Sequence, residues 1–347
     1  MDLFAEIKGI KYNPFLYRDL GVYSISELKT AFSKDSVFIL ESNSSQFAIS
    51  WWVSAKRTRS YPYARIYDSF GFSGKRITVI PVFKDEGKDG DRDYLQWDTI
   101  SLMSLLGVYV IIAYYIEAER NSSYENKITK QRFDVDYIKK ELNELSSYQS
   151  DALHWNLSQL DRIGDIGQKA ITAYTMISKK LNIRMHSLEI AKKRVEKLLK
   201  GKESFITFSR NLAIRAQKRE SVTIQPKEKI SGIKGAITIK NYLGGYYYFT
   251  ADEVEIDKNN IYLIEAKHSK TNSLPSLEDI KDGLLKMMLF CNLSDIKFGG
   301  RHYNSIAVLK LSVASGFDRK NLNEKQLKVI SSLERESKVN NFELRLM

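Results

Sequence analysis

Three runs of strand-forming residues follow one another in the last third of the chain, at 236–243, 246–256 and 261–269. Only Gly244-Gly245 and the four residues 257–260 separate them. Connections this short join antiparallel neighbours, because parallel strands need a crossover of about a dozen or more residues. The chain is therefore expected to build a three-stranded antiparallel meander here, and other elements must cover its buried face.

Patterns typical of helices lie on both sides of this meander. Apolar residues recur at helical spacing over 204–218 and 276–293. A fourth strand-forming run at 305–313 and a helical pattern at 321–333 follow. The order helix, three strands, helix, strand is typical of a mixed sheet with flanking helices. We therefore predict a mixed α/β core over 203–347.

The rest of the chain divides into two segments by pattern. Residues 1–132 are rich in short β-branched and aromatic runs, one of them at 64–67, and 117–132 look like a polar connection. Residues 133–202 repeat Leu and Ile at helical spacing. We predict an N-terminal α+β domain at 1–132 that contributes to DNA recognition, a basic helical segment at 133–202, and the core at 203–347.

Composition excludes several classes of protein. Cys291 is the only cysteine, so neither an intrachain disulfide nor a thiolate zinc site can form, and a cytoplasmic location is the simplest expectation. We expect no signal peptide, and the longest apolar run, 102–116, is shorter than the ~20 residues of a spanning helix. Scattered histidines argue against an HNH-type nuclease, and the absence of a phosphate-binding Gly-rich loop argues against an ATP-driven motor.

Positive charge is concentrated in one region. The formal net charge is +12, and residues 151–250 hold 19 basic and 8 acidic residues. Such asymmetry favours a polyanionic partner, nucleic acid first and an anionic membrane surface second. A lysine-rich helical surface that only favours solubility is the alternative interpretation, and it stays open.

Three ionisable residues of the meander suit a specific chemistry. Glu265 and Lys267 end an apolar strand and point to the same side, because side chains alternate along a strand. The preceding strand brings Asp252 alongside them. Two carboxylates can bind Mg²⁺, and a nearby lysine can stabilise negative charge that develops during phosphodiester hydrolysis. A structural ion pair between Glu265 and Lys267 is the alternative.

On these residues the chain resembles the PD-(D/E)xK nuclease superfamily, and within it a type II restriction endonuclease. The family core is a helix, a three-stranded meander, a helix and a further strand, which matches the elements expected over 203–313. Asp252 matches the first family acid, Glu265 the second and Lys267 the lysine. Ala251 stands where many members have proline.

The resemblance implies a site for magnesium and for the attacking water. It implies that Asp252 and Glu265 bind Mg²⁺ with help from the Ala266 carbonyl, and that Lys267 serves the water. Glu253 and Glu255 remain rivals for the role of first acid. Some family members add a glutamate from the preceding helix, and the candidates for it are Glu203 and Glu220.

Basic residues in two stretches are candidates for DNA contacts, because cations interleaved with aromatic residues suit phosphate binding and stacking. The stretches supply Lys56, Arg57, Arg59, Arg65, Arg210, Arg215, Lys218 and Arg219. A basic loop beside core tryptophans and a solvated helix face are the alternatives. The acidic segment 84–98 fails the EF-hand pattern and is expected to be a solvated loop, with a second acidic site left open.

Together these features predict a Mg²⁺-dependent, double-stranded DNA endonuclease of the type II restriction class, a hydrolase of phosphodiester bonds. We expect DNA as partner, no membrane, and a homodimer as one option. The alternatives are a repair or recombination nuclease of the same superfamily and a non-catalytic DNA-binding protein.

Overall fold

The computed structural model describes residues 1–42, 45–56, 61–199, 214, 217–218, 233–241, 246–271, 273–314 and 316–347. The strands, in chain order, are β1 (Asp2–Ile7), β2 (Val22–Ser24), β3 (Val37–Ser42), β4 (Ser45–Trp51), β5 (Lys75–Pro81), β6 (Phe83–Asp85), β7 (Arg92–Tyr94), β8 (Val108–Ala113), β9 (Tyr115–Arg120), β10 (Ile128–Phe133), β11 (Ile233–Asn241), β12 (Tyr246–Asp257), β13 (Asn260–Ser269), β14 (Leu293–Phe298), β15 (Arg301–Val313) and β16 (Glu343–Leu346). The α-helices are α1 (Leu28–Lys34), α2 (Pro62–Ser69), α3 (Trp97–Leu105), α4 (Val135–Ser146), α5 (Ala152–Asp161), α6 (Ile163–Leu181), α7 (Leu188–Leu199), α8 (Leu277–Phe290) and α9 (Glu324–Asn340).

The chain forms two compact units. The first unit comprises Met1–Asp19, Ile66–Gly71 and Asn211–Met347, and the second comprises Leu20–Arg65 and Phe72–Arg210. Both contain strands and helices, and their sheets mix parallel and antiparallel pairs, so the predicted mixed α/β class is confirmed. In the described residues no helix is long and apolar enough to cross a membrane.

The first unit is built on a sheet of order β13-β12-β11-β1-β14-β15-β16, in which β13 also pairs with β15. Strands β11, β12 and β13 form the predicted antiparallel meander. Helix α8 then crosses over, so that β15 runs parallel to β13. The crossover buries the apolar face of α8, including Ile280, Leu284 and Met288, and α8 packs on both β13 and β15.

The second unit has a sheet of order β2-β3-β4-β5-β8, in which β4, β5 and β8 are parallel neighbours. Helix α5 packs on β8, where the Trp155 indole donates to the Val110 carbonyl at 2.8 Å. The Asn156 side chain accepts from the Val110 amide at 2.6 Å and so binds the same edge strand. These contacts join the helical segment to the strand-rich segment in one core.

The two units do not divide at the boundary predicted at 132, and a unit boundary lies between Arg210 and Asn211, close to the one predicted at 202. Residues 133–199 belong with the N-terminal strands, because α5 and α6 bury their apolar faces against that sheet and its flanking hairpin. Residues 2–7 belong to the first unit, because β1 pairs in parallel with β11 and antiparallel with β14.

Two local predictions were also wrong. Residues 64–67 lie in α2 and not in a strand, since Pro62 is favourable at the first helical position and Tyr63, Ile66 and Tyr67 are buried at helical spacing. The supposed polar connection at 117–132 is largely the antiparallel pair β9–β10. Most of the helix expected over 204–218 lies outside the described residues.

Candidate active site

The register of β12 and β13 brings Asp252 to Glu265. A two-residue turn, Lys258-Asn259, joins the strands, and Glu253 faces Ile264, so Asp252 and Glu265 are the next residues along the pair. The Asp252 Oδ2 atom accepts a hydrogen bond from the Ala266 amide at 2.9 Å. The first acid is therefore attached to the strand that carries the other two motif residues.

Glu265 is the centre of a buried charge cluster. Its side chain is 2% exposed, and its two oxygens contact two different lysines. Oε1 lies 2.9 Å from Nζ of Lys267, and Oε2 lies 2.6 Å from Nζ of Lys286 on α8. Burial opposes ionisation of Glu265, but the charges of the two lysines outweigh it and lower its pKa. Glu265 is therefore a carboxylate at neutral pH.

Helix α8 supplies a further acid to this cluster. Oδ2 of Asp282 lies 3.3 Å from Nζ of Lys267. Burial, with the negative charge of Glu265 added to it, raises the pKa of Asp282 above its ordinary value. Burial also lowers the pKa of Lys267, but Glu265 and Asp282 outweigh this effect, so that its pKa is raised and it keeps its proton.

Close packing of α8 on β13 depends on a glycine. A Cβ at Gly283 would lie 2.9 Å from Cδ1 of Leu309 and 3.3 Å from Cε of Lys267. A larger residue at this position would have to displace the Leu309 side chain and would crowd the Lys267 side chain. Gly283 thus allows Asp282 and Lys286 to reach the cluster from one helix.

Asp282 and Lys286 were not identified from the sequence. They stand four residues apart in a helix that is otherwise largely apolar, and this spacing puts both side chains on one face. A carboxylate and an ammonium group four residues apart in such a helix are the signal that could have found them.

The two rival first acids lie elsewhere. Glu253 is fully buried, and its Oε1 lies 2.8 Å from Nζ of Lys310 on β15. Glu255 is exposed and contacts Arg345 at 2.9 Å. Because neighbouring residues of a strand point to opposite faces, Glu253 cannot share the face of Asp252. The geometry favours Asp252 over both.

The predicted DNA-binding residues are placed only in part. Lys56 contacts the buried Asp93 carboxylate at 2.5 Å, and the Arg65 guanidinium lies 4.5 Å from the Trp51 ring centroid. Lys218 is exposed and helical. The remaining candidates lie outside the described residues, namely Arg57, Arg59, Arg210, Arg215 and Arg219, together with the two candidate helix acids Glu203 and Glu220.

The acidic segment 84–98 is not a solvated loop, which corrects that prediction. Asp85, Glu86 and Asp93 are buried and contact cations. The contacts include Arg92 with Asp85 at 3.6 Å and Lys84 with Glu86 at 2.8 Å. Buried acids need such partners, because desolvated charges are costly when they are alone. These partners explain why the segment folds inwards.

The donor atoms of this cluster determine which metal ion it can bind. Among the residues that the structure describes, no group of three or more His, Cys, Asp or Glu side chains is arranged to hold a metal ion. Mg²⁺ usually takes one or two protein carboxylates and completes its shell with water and phosphate oxygens. Asp252 and Glu265 fit that requirement, provided that one lysine releases a Glu265 oxygen.

Comparison with known proteins gives no relative. No protein-family model, no curated protein and no solved structure matches the chain.

Proposed function

We propose that this chain is a Mg²⁺-dependent double-stranded DNA endonuclease, most like a type II restriction enzyme of the PD-(D/E)xK superfamily. The observation that carries the proposal is the hydrogen bond from the Ala266 amide to Asp252, beside the contact between Glu265 and Lys267. It joins two acids and a lysine, in the order of the family motif, on adjacent strands.

The topology around these residues supports the same proposal. An antiparallel meander β11-β12-β13, a helix α8 and a strand β15 parallel to β13 follow one another in the order expected for the later part of the family core, which supports the proposal. The second unit, with its own sheet and helices, is a region large enough to read bases, which favours restriction over repair or recombination. A cytoplasmic location and a homodimer belong to this proposal.

In the proposed reaction, the oxygen of a water bonds to phosphorus as its proton passes to bulk water. The bond from phosphorus to the leaving oxygen breaks, and that oxygen takes a proton from water. Bound Mg²⁺ would lower the pKa of that water and offset charge on the phosphate. Asp252 and Glu265 would hold the ion, with the Ala266 carbonyl as a further donor.

Lys267 acts in this scheme as a donor. In the metal-free site the acids around it raise its pKa, so Lys267 enters the proposed reaction as a protonated donor. It orients the nucleophile and stabilises the negative charge that develops on the phosphate. Lys286 holds Glu265 in place and neutralises part of the cluster, which contains three carboxylates and two ammonium groups.

One observation favours a second candidate, a DNA-binding protein without catalysis. Both oxygens of Glu265 already contact lysines, which is also what a purely structural ion-pair cluster requires. Digestion of a circular plasmid in Mg²⁺, with EDTA as control, separates the candidates. Discrete fragments support restriction, a smear supports a nuclease without sequence specificity, and intact plasmid at excess protein supports binding alone.

A further inference from the structure

The second unit contains a pocket of about 750 Å³ with an aromatic wall. It lies between α1, the end of β4, the β9–β10 pair and the start of α4. Ring centroids of Phe32 and Trp51 are 6.2 Å apart, and those of Phe32 and Phe133 are 5.8 Å apart. Ligand pockets typically have volumes of roughly 300–1,000 Å³, so this pocket can accept a molecule of nucleotide size.

Cations surround this aromatic wall. Lys29, Lys130, Arg132 and Lys139 all line the pocket. Arg132 and Lys130 contact Glu119 on the surface, where their side chains are 51% and 69% exposed. Exposed ion pairs contribute little to stability, so a phosphate can replace Glu119 as their partner with little loss. Rings beside exchangeable cations are the features that bind a nucleobase and its phosphate.

The acids of the pocket limit this charge but do not cancel it. Glu117, Asp134 and Asp136 also line it, so three acids stand against four cations. Glu117 contacts Arg132 at 3.3 Å in a further exposed ion pair. The Asp134 carboxylate already accepts two hydrogen bonds within the protein. It caps α4 by accepting a hydrogen bond from the Tyr137 amide, and it accepts another from the Tyr114 hydroxyl at 2.7 Å. Asp136 points to solvent, with 97% of its side chain exposed.

Backbone strain marks the same place. Lys130 has φ of 47° inside β10, where the pairing with β9 shifts register between Thr129 and Arg132. A left-handed backbone conformation is strained for a lysine. Bulges of this kind redirect side chains and often occur at functional sites. The strain is explained if it serves to present Lys130 and Arg132 to the pocket.

We propose that this pocket binds one unstacked nucleotide, with the base against Phe32 and Trp51 and the phosphate between Lys29 and Lys130. This inference deepens the proposed function and rests on it, because it assigns part of DNA binding to the second unit. The nucleotide can come from a DNA strand or from a free mononucleotide, and the experiment includes both.

Binding to full-length protein is measured in EDTA by fluorescence anisotropy of labelled (dT)10, with dTMP and an unlabelled duplex as competitors. Trp51→Ala is expected to weaken (dT)10 binding about tenfold or more, and Trp51→Phe, which keeps a ring, is expected to retain most of it. Lys29→Ala should make the negative slope of log K against log salt shallower by about 0.7, which is the contribution of one phosphate contact on a single strand. Lys34→Ala, on the same helix and outside the pocket, should leave the slope unchanged.

If dTMP displaces the labelled (dT)10 as strongly as unlabelled (dT)10 does, and Trp51→Ala weakens the binding of both, the pocket binds a free nucleotide. If dTMP competes only weakly, the pocket binds a nucleotide that is part of a DNA strand. Equal effects of Lys29→Ala and Lys34→Ala on (dT)10 and dTMP binding overturn the inference, and this pair decides the matter even if Trp51→Ala fails to fold. If plasmid is cut in Mg²⁺ while both lysine variants bind like the parent, only this inference fails. If the parent neither binds nor cuts DNA, the proposed function fails as well.

Discussion

Neighbouring acids on β12 should respond to neutralisation to very different extents. Glu253→Gln removes the negative charge that faces Lys310, whose side chain is 9% exposed, and leaves that ammonium buried without its carboxylate. Loss of one partner of a buried pair destabilises by about 3–5 kcal/mol. The amide oxygen can still accept a hydrogen bond, so we expect the lower end, about 3 kcal/mol. For a domain of 150–250 residues this corresponds to a decrease in Tm of roughly 6–12 °C.

Asp252→Asn should behave differently. The asparagine oxygen can still accept from the Ala266 amide, while the change removes the attraction between Asp252 and the Lys267 ammonium. Because the hydrogen bond is kept and Lys267 keeps the Glu265 carboxylate at 2.9 Å, the free energy of unfolding should fall by only about 1 kcal/mol.

Urea denaturation followed by circular dichroism at pH 7 in EDTA measures both variants. Glu253→Gln combined with Lys310→Met should recover most of the lost stability, because the buried cation is removed together with its partner. The reasoning is refuted if Asp252→Asn is destabilised as much as Glu253→Gln. It is also refuted if Glu253→Gln keeps full stability but loses cleavage.

Three further predictions concern the site and its surroundings. Lys267→Ala should fold and bind DNA but cut at least about a hundredfold more slowly in single-turnover assays, because it removes a transition-state donor. A rate within about threefold of the parent would mean that the cluster has only a structural role. Lys286→Met should lower the Mg²⁺ concentration for half-maximal cleavage, because this ammonium occupies Oε2 of Glu265, and an unchanged or higher requirement would contradict that role. Asp68→Asn should lower the free energy of unfolding by about 3–5 kcal/mol, because the Lys281 ammonium, whose side chain is 6% exposed, loses the carboxylate that lies 2.6 Å away. A loss below about 1 kcal/mol in urea denaturation would be inconsistent with a buried ion pair.

Local signals predicted the meander well. The ends of β12 and β13 lie within about a residue of expectation, because the polar residues 257–260 leave only a tight turn between two apolar runs. The positive φ of that turn falls on Lys258. Alternation along the strands then put Glu265 and Lys267 on one side, as the structure has them.

Features that depend on distant partners could not be predicted. The choice among Asp252, Glu253 and Glu255 was open because the partner of Glu253 is Lys310, 57 positions away. Strand β1 was missed because its parallel neighbour β11 begins at Ile233. The acidic segment looked solvated because charged residues are usually exposed, and its burial depends on cations that lie far away in the sequence, such as Lys56 beside Asp93.

Single-turnover cleavage by Asp252→Asn tests the central claim most directly. Glu255→Gln is the matched control, since it neutralises an exposed acid of the same strand that contacts Arg345 and lies apart from the cluster. At saturating protein in Mg²⁺, the parent and Glu255→Gln should cut DNA at similar rates, and Asp252→Asn should bind the DNA without cutting it. Normal cutting by Asp252→Asn, or loss of cutting in Glu255→Gln alone, would contradict the assignment of the first metal ligand.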